Sequence, residues 1–367
     1  MSKELKKIFL NDYHHDHNAK FVSFAGYSMP INYQEGIIKE HLQVRSLAGV
    51  FDVSHMGQLL VSVNNLNISN LEKYIPLNLK NLRINKSYYS FILNIEGCVI
   101  DDIILTKIIY DKKEFFFIVY NAARKYEDEK IFNTILSDSI FLTNNSLLAI
   151  QGPSAEEVIN FLPNIDNLSF MNSLTSNYLD YPIIITRSGY TGEDGFEISI
   201  PNQIVINFIK KIMVNKKVKL CGLGSRDSLR LEAGLCLYGN ELNESITPIE
   251  ANLNWAIHKE RLNDKNLNGR KILLHQIKNG TTKYKIALKP FSKSILRNNM
   301  LLFDHEQNEI GYITSGAYSP TIKSSIAIGY INKKLHNDEK IYTSIRNITE
   351  VLEIVKLPFV LHNYKKG

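Results

Sequence analysis

Four short stretches place reactive side chains where an ordinary core would not. In Gly97-Cys-Val-Ile-Asp101-Asp102-Ile-Ile-Leu105, two adjacent carboxylates interrupt an apolar, strand-like run. Successive strand residues point to opposite faces, so one carboxylate is expected to face solvent and the other a pocket. A partly buried Asp is costly unless hydrogen bonds satisfy it or a function retains it. A turn at a strand edge is the structural alternative. In Val119-Tyr120-Asn121-Ala-Ala-Arg124 a polar Asn closes an apolar run, which an ordinary strand terminator also explains. In Arg187-Ser-Gly189-Tyr190-Thr-Gly-Glu-Asp-Gly195-Phe196-Glu197 the strand period sets Phe196, Ile198 and Ile200 on one face and Glu197 on the other. A lone Glu there is usually exposed. In Gly222-Leu-Gly-Ser-Arg226-Asp-Ser-Leu-Arg230-Leu-Glu232, Arg226 and Arg230 stand at i,i+4 on one helical face. Surface ion pairs account for such a spacing as well.

These stretches need strands, hairpins and helices to hold them. Ile37, Val44 and Ala48, with Ile38 and Leu42 beside them, predict a helix that ends near Gly49. Leu59, Val61 and Val63 alternate with Gln58, Leu60 and Ser62, which predicts a strand. From Phe51 to Leu142 the chain reads as strand-rich, with short apolar runs at Phe91-Ile-Leu, Val99 to Leu105 and Phe115 to Tyr120. Ser154 and Glu157 form a capping-box pattern ahead of Val158, Ile159, Phe161 and Leu162. Ile183-Ile-Ile and the alternating Phe196, Ile198 and Ile200 predict a hairpin across the glycines between them. Helix-forming chemistry follows Gly222 and Gly224. After Asn279-Gly-Thr-Thr282 the chain returns to short strands and turns, which reads as a separate all-β unit. The pattern is α+β and not a βαβ series.

Composition narrows the function. The chain has 367 residues, enough for two or three domains and an ample core. Its net charge is +6 with both signs scattered, which fits an anionic small molecule or an acidic protein at least as well as nucleic acid. Cys98, Cys221 and Cys236 are far apart and form no CxxC, so neither a disulfide framework nor a zinc site is expected. No apolar run approaches the ~20 residues of a membrane-spanning helix. The N-terminal Met1-Ser-Lys-Glu-Leu-Lys-Lys has neither the apolar core of a signal peptide nor the Arg-rich, acid-poor character of a transit sequence. A soluble cytoplasmic protein is the expectation. GxGxxG, GxxxxGK[ST] and GxSxG are missing, and Gly222-Leu-Gly224 reads as a tight turn. His14, His15 and His17, with Asp16 among them, match no established ligand spacing and read as a solvated surface patch.

Taken together and in order, the segments closely resemble the T-protein of the glycine cleavage system, the aminomethyltransferase family. The resemblance runs from Phe24-Ala-Gly through Phe51-Asp-Val-Ser-His-Met-Gly57 and the four stretches above. It continues through Leu235-Cys-Leu-Tyr-Gly239, Thr247-Pro-Ile-Glu-Ala251, Thr314-Ser-Gly-Ala-Tyr-Ser-Pro-Thr321 and Leu357-Pro-Phe-Val360, covering nearly the whole chain. The stretches Gly189 to Glu197 and Gly222 to Gly239 are the most specific.

The resemblance implies a three-domain cloverleaf with a central folate channel and a C-terminal all-β domain. By that analogy residues 1–55 and 145–244 form one domain, and 56–144 is an inserted strand-rich domain. Residues 245–279 are a helical connection and 280–367 the β domain. The implied activity transfers the one-carbon unit of an aminomethyl group, carried on the lipoyl arm of H-protein, to tetrahydrofolate with release of ammonia. Tetrahydrofolate is a co-substrate, no metal is expected, and lipoylated H-protein is a transient partner. Neither nucleic acid nor membrane is an expected partner. The compartment is a bacterial cytoplasm, or the mitochondrial matrix if the source is eukaryotic.

Residue by residue, the family's key carboxylate matches Asp102. A carboxylate there could accept a hydrogen bond from the folate nitrogen as a general base, or steady a cationic iminium-like species. Glu197 matches the residue that can accept two pterin N–H groups, and Arg226 a donor fork for folate oxygens. Tyr89, Asn121 and Tyr190 match positions lining the folate site, and Met56, Leu60 and Trp255 match apolar walls. The chain departs from the family at Gly97-Cys98, where a glycine pair is usual, at Ser188, where Thr is usual, and at Phe170-Met-Asn-Ser173, which fits an aromatic position loosely. Two relatives sharing the fold are alternatives: a non-catalytic folate-binding protein of iron–sulfur assembly, whose Lys-Gly-Cys motif this chain lacks, and a folate-dependent demethylase, which usually lacks the wording of Gly189 to Glu197.

Overall fold

A computed structural model describes residues 4–334, 340–346 and 348–367. Among the described residues the strands assemble into four sheets. The central one has six strands, in the order Ser173–Tyr178, Tyr181–Thr186, Gly195–Pro201, Asn145–Gln151, Ala48–Asp52 and Val218–Leu220. Ala48–Asp52 is buried at every position, as a strand covered on both faces must be. It pairs antiparallel with Asn145–Gln151 and parallel with Val218–Leu220.

The chain therefore leaves this sheet after Asp52 and re-enters beside it at Asn145. The excursion between them builds a five-stranded sheet: Lys86–Leu93, Val99–Tyr110, Lys113–Tyr120, Gly57–Ser62 and Ser139–Phe141. Its helix Lys125–Ile135 buries Phe132 against Tyr120 and Phe116. A small sheet of Lys6–Lys7, Tyr27–Asn32 and Lys20–Phe24 lies at the N-terminal end.

Residues 245–279 hold two 3-10 turns, Asn254–Ala256 and Lys259–Asn263, and one helix, Arg270–Asn279. Beyond them six strands close into a barrel. Tyr284–Pro290 seals it by pairing with both Ser324–Ile331 and Ile348–Val355. The last residues run back to the central sheet: Val360 N–H donates to Glu232 and Asn363 N–H to Gly192, and the Tyr364 ring stacks on Phe170 at 3.8 Å. Phe170 thus has a clear aromatic partner that the sequence alone did not reveal.

The helix Leu223–Glu232 ties the central sheet to the barrel. A Cβ at Gly222 would fall 2.4 Å from the backbone of Ile31, so the helix start can lie against Tyr27–Asn32 only because that residue is glycine. The Glu40 carboxylate accepts from Gly222 N–H at 2.9 Å and from the Ser225 hydroxyl at 3.1 Å, capping the same end. Gly222-Leu-Gly224 is thus a packed helix entry, not a tight turn. At the other end the buried Glu232 joins His41, Arg45 and Thr321. Arg230 joins Glu241 at 2.9 Å and Ser315 of the barrel at 2.8 Å.

Three expectations need correction. The capping box at Ser154 is not formed: the helix spans only Ala155–Val158, Ser154 makes no side-chain cap, and Glu157 pairs instead with Lys217 at 2.6 Å. The histidine cluster is solvated only in part: His15, Asp16 and His17 are exposed as expected, but His14 is not. His14 is buried, bonding Asp52 at 2.9 Å and the Tyr33 hydroxyl at 2.8 Å, while His15 stacks on Phe21. Arg226 and Arg230 are not surface ion pairs, because the helix that carries them is enclosed. Among the described residues the three cysteines are free and no helix is long and apolar enough to cross a membrane.

Candidate active site

The register of the five-stranded sheet explains one half of the site. Phe91 lies opposite Asp102, and Tyr120 opposite Ile103. Tyr89, two residues from Phe91, is therefore a diagonal same-face neighbour of Asp102, and Asn121 emerges beside both carboxylates. Tyr89 donates its hydroxyl to Asp102 Oδ2 at 3.0 Å. The Asn121 amide donates to Asp102 Oδ1 at 2.8 Å and to Asp101 Oδ1 at 2.9 Å, and its backbone N–H donates to Asp101 Oδ2 at 2.8 Å. The expectation that one carboxylate of the pair faces solvent is thus corrected. Asp101 is fully buried, Asp102 is half-buried, and Asn121 bridges them.

Burial, together with the neighbouring charge of Asp101, raises the Asp102 carboxyl to about 7; hydrogen bonds from Tyr89 and Asn121 only partly oppose this. Burial and the same carboxylate drive the Tyr89 phenol well above its usual range, so it stays a donor. The Tyr89 ring is stacked with Trp255 at 5.6 Å, and Trp255 itself is 66% exposed.

The hairpin and the enclosed helix build the other half. Phe196, Ile198 and Ile200 fill the core under the central sheet, and Glu197 points to the opposite face. On that side it approaches Arg226 of the helix Leu223–Glu232, and the Glu197 side chain is only 13% exposed, in place of the solvated position its spacing first suggests. Glu197 Oε2 accepts from the Ser188 hydroxyl at 3.2 Å. Its other oxygen stands 3.8 Å from Arg226 Nη2, too far for a hydrogen bond. Arg226 Nη1 is buried and meets no acceptor among the described residues. Donor and acceptor capacity is left open side by side.

Tyr190 stands with this second half. Its ring lies 4.9 Å below the Arg226 guanidinium, and its hydroxyl donates to the Cys236 carbonyl. Burial raises its phenol, the nearby Arg230 guanidinium opposes the rise, and the charge of Asp102 adds to it. Asp102, Tyr89, Asn121 and the stacked Trp255 thus form one group, and Tyr190, Glu197 and Arg226 a second, with Tyr190 near enough to feel the charge of Asp102. Met56 and Leu60 share no hydrogen bond with these residues: Leu60 is fully buried in a core cluster with Phe51 and Phe117, and Met56, next to the Gly57 that lies opposite Tyr120, packs against that cluster. Residues that the sequence reading did not single out also adjoin the second group. Ser188 holds Glu197, and Lys285 donates to Cys236 Sγ at 3.2 Å from the barrel. Ser188 carried a signal, since it replaces a family Thr that keeps the hydroxyl. Lys285 carried none, because only the folded barrel brings it there.

Two family models match the chain: the GCVT N-terminal domain over residues 10–261 and the glycine cleavage T-protein C-terminal barrel domain over residues 284–360. The chain belongs to the glycine cleavage T-protein family. Its curated relatives include the mitochondrial aminomethyltransferases of Dictyostelium discoideum and Saccharomyces cerevisiae. The first is 37% identical, with 100% of this chain and 95% of the relative covered. The second is 38% identical, with 99% and 96% covered. Among solved structures, glycine cleavage system aminomethyltransferase T from Bartonella henselae superimposes with a TM-score of 0.91 at 37% identity, covering 99% of this chain and 100% of that one. The resemblance read from the sequence motifs is borne out, and so is the T-protein fold with its closed six-strand C-terminal barrel.

Proposed function

We propose that this T-protein family member is an aminomethyltransferase that moves the one-carbon unit from lipoyl-bound aminomethyl on H-protein to tetrahydrofolate, releasing ammonia. The observation that carries the reading is Asp102, a half-buried carboxylate held between Tyr89 and Asn121 in a chain that the family's two models match over residues 10–261 and 284–360. Tetrahydrofolate would supply the nitrogen that takes up the one-carbon unit. The unused capacity of the site fits such a ligand: adjacent pterin N–H groups match the carboxylate of Glu197, a ring carbonyl or a carboxylate matches the orphan Nη1 of Arg226, and Tyr190 and Tyr89 offer flat faces.

Each residue then has a task. Glu197 and Arg226 bind and orient. Tyr89 and Asn121 fix the rotamer of Asp102 and stabilise its charged form. Asp102, with a carboxyl near neutrality, is able to take a proton at Oδ1 or Oδ2 and return it, as a general base does. Its ionised form also provides negative charge in a water-poor setting, where it acts strongly on a developing cation. Met56 and Leu60 are read as apolar walls of the ligand site, as is Trp255, exposed and stacked on Tyr89 at its rim.

For domain organisation, we read residues 1–55 with 145–244 as one unit, 56–144 as its inserted neighbour, 245–279 as the connection and 280–367 as the barrel unit. The two sheets and the barrel support these divisions. The mitochondrial names of the curated relatives support the matrix alternative for its location over the cytoplasmic one. The deciding experiment supplies aminomethyl-loaded H-protein with tetrahydrofolate and measures ammonia. Folate-dependent release is expected, and its failure rejects the assignment.

A further inference from the structure

Asp128 lies in the first turn of the helix Lys125–Ile135, where an Asp ordinarily sits in water and complements the helix dipole. Here it is fully buried. Among the described residues, no N–H or O–H outside the carboxyl pair reaches either of its oxygens. Its carboxyl lies against that of Asp101, close enough for the two to exchange a hydrogen bond once one of them is protonated. Two carboxylates cannot share such a contact without a proton between them.

The surroundings say which carboxyl holds it. Asp101 already accepts from the backbone N–H and the amide of Asn121, and hydrogen bonds of that kind favour its charged form. Asp128 has no such donors. Burial, with the charge of Asp101, pushes the Asp128 carboxyl far above the ordinary range. The charged and titratable groups around the pair do not offset this. Arg124 lowers it only in part, and its Nη2 is committed to Glu244 at 2.7 Å. Glu127 raises it further. Tyr120, bonded to Glu129 at 3.1 Å, and Tyr238 are phenols held neutral by burial.

We propose that Asp128 is a positioning residue for the site carboxylate, a reading that rests on assigning Asp102 to the chemistry. As a neutral acid it donates to Asp101, which keeps Asp101 ionised and turned toward Asn121. The fixed anion and the shared Asn121 amide then set the orientation and basicity of Asp102. No bond is made or broken, and the proton stays on Asp128 through turnover.

Three measurements on the full-length protein test this. The infrared difference spectrum between wild type and Asp128→Asn, taken without substrates at mildly alkaline pH, should contain the carbonyl band of a protonated carboxylic acid in the wild type. Its absence overturns the proposal whatever Asp102 does. Asp128→Asn keeps an N–H donor to Asp101, so its kcat and the acid limb of its pH profile should stay close to wild type. Asp128→Leu removes the donor. Asp101 then takes up a proton itself, and Asp102 loses a neighbouring charge. The acid limb should move to lower pH while kcat falls about 10–100-fold through misplacement, with KM for folate little changed. A Leu variant with wild-type kcat and an unmoved limb overturns the proposal. If that variant does not fold, the infrared band and the Asn variant decide. Full activity in Asp102→Asn would instead remove the assignment of Asp102, and the infrared band tells the two failures apart.

Discussion

Asn121 holds Asp102 and Asp101 with one amide, at 2.8 and 2.9 Å. The two carboxylates leave opposite faces of the same strand, yet a single side chain from the next strand reaches both. Asn121→Ala should leave their repulsion unbridged and withdraw a hydrogen bond that favours ionised Asp102. The Asp102 carboxyl should rise further, so the acid limb of kcat should move to higher pH. Turnover at neutral pH should drop by roughly 10²-fold. A pH–rate profile of the variant checks this, and an unmoved limb contradicts it.

Asp102→Asn should lower kcat by about 10²–10⁴-fold while folate binding persists. Its pH dependence has a definite sign. Burial and Asp101 raise the Asp102 carboxyl to about 7, so the active, ionised form accumulates as pH rises through that value. Wild-type kcat should therefore climb between about pH 6 and 8 and be lost below. Steady-state ammonia release across this range, with equilibrium folate binding measured in parallel, separates chemistry from affinity.

Glu197→Gln should act on binding. One charge-assisted acceptor is exchanged for an amide that offers a single oxygen, costing about 1.5–3 kcal/mol, or roughly 10–100-fold in the dissociation constant for folate. Arg226 would lose the nearest countercharge to its buried guanidinium. Isothermal titration with tetrahydrofolate measures the effect, and an unchanged constant would place the pterin away from Glu197.

Glu232 makes an acid-stability prediction. Burial alone would raise its carboxyl, but the hydrogen bonds of His41, Ser319 and Thr321 and the charge of His41 outweigh it and bring it to about 2, against an ordinary 4.5. A depressed carboxylate contributes stability that is present above its unfolded value and lost as pH falls through the folded one. Unfolding free energy should thus decline between pH 4.5 and 2, by on the order of 3 kcal/mol from this group. Denaturant titrations should show a shallower decline in Glu232→Gln, and parallel curves would count against the account.

Much of this architecture was legible because period and turn chemistry agree locally. The alternation at Phe196, Ile198 and Ile200 fixes both the strand and the face of Glu197; the helix expected from Ile37 forms as Ile37–Ser46 but stops before Ala48, which opens the next strand, and leaves Ile37, Ile38 and Leu42 exposed. The motif blocks identified the family, and the resemblance made Asp102, Tyr89 and Arg226 candidates for the site. What stayed hidden depends on contacts between distant segments. Ser154 and Glu157 have the letters of a cap, but the helix they would open is too short to use it. His14 reads as part of a polar run until Asp52 and Tyr33 enclose it. Asp128 carries the letter of a routine helix start. Only the fold sets it against Asp101, because no local pattern records which buried partner a first-turn acid will meet.

The segment that leaves the barrel and lies along the central sheet touches Gly192 and Phe170 on either flank of the loop that bears Tyr190. The trailing segment of the barrel is thus latched beside the loop of Tyr190 and not at the strand of Asp102. Loosening the latch, for example with Tyr364→Ala, would show first as weaker ligand retention, with the pH response of turnover preserved. Wear on this molecule therefore begins with its grip and reaches its chemistry last.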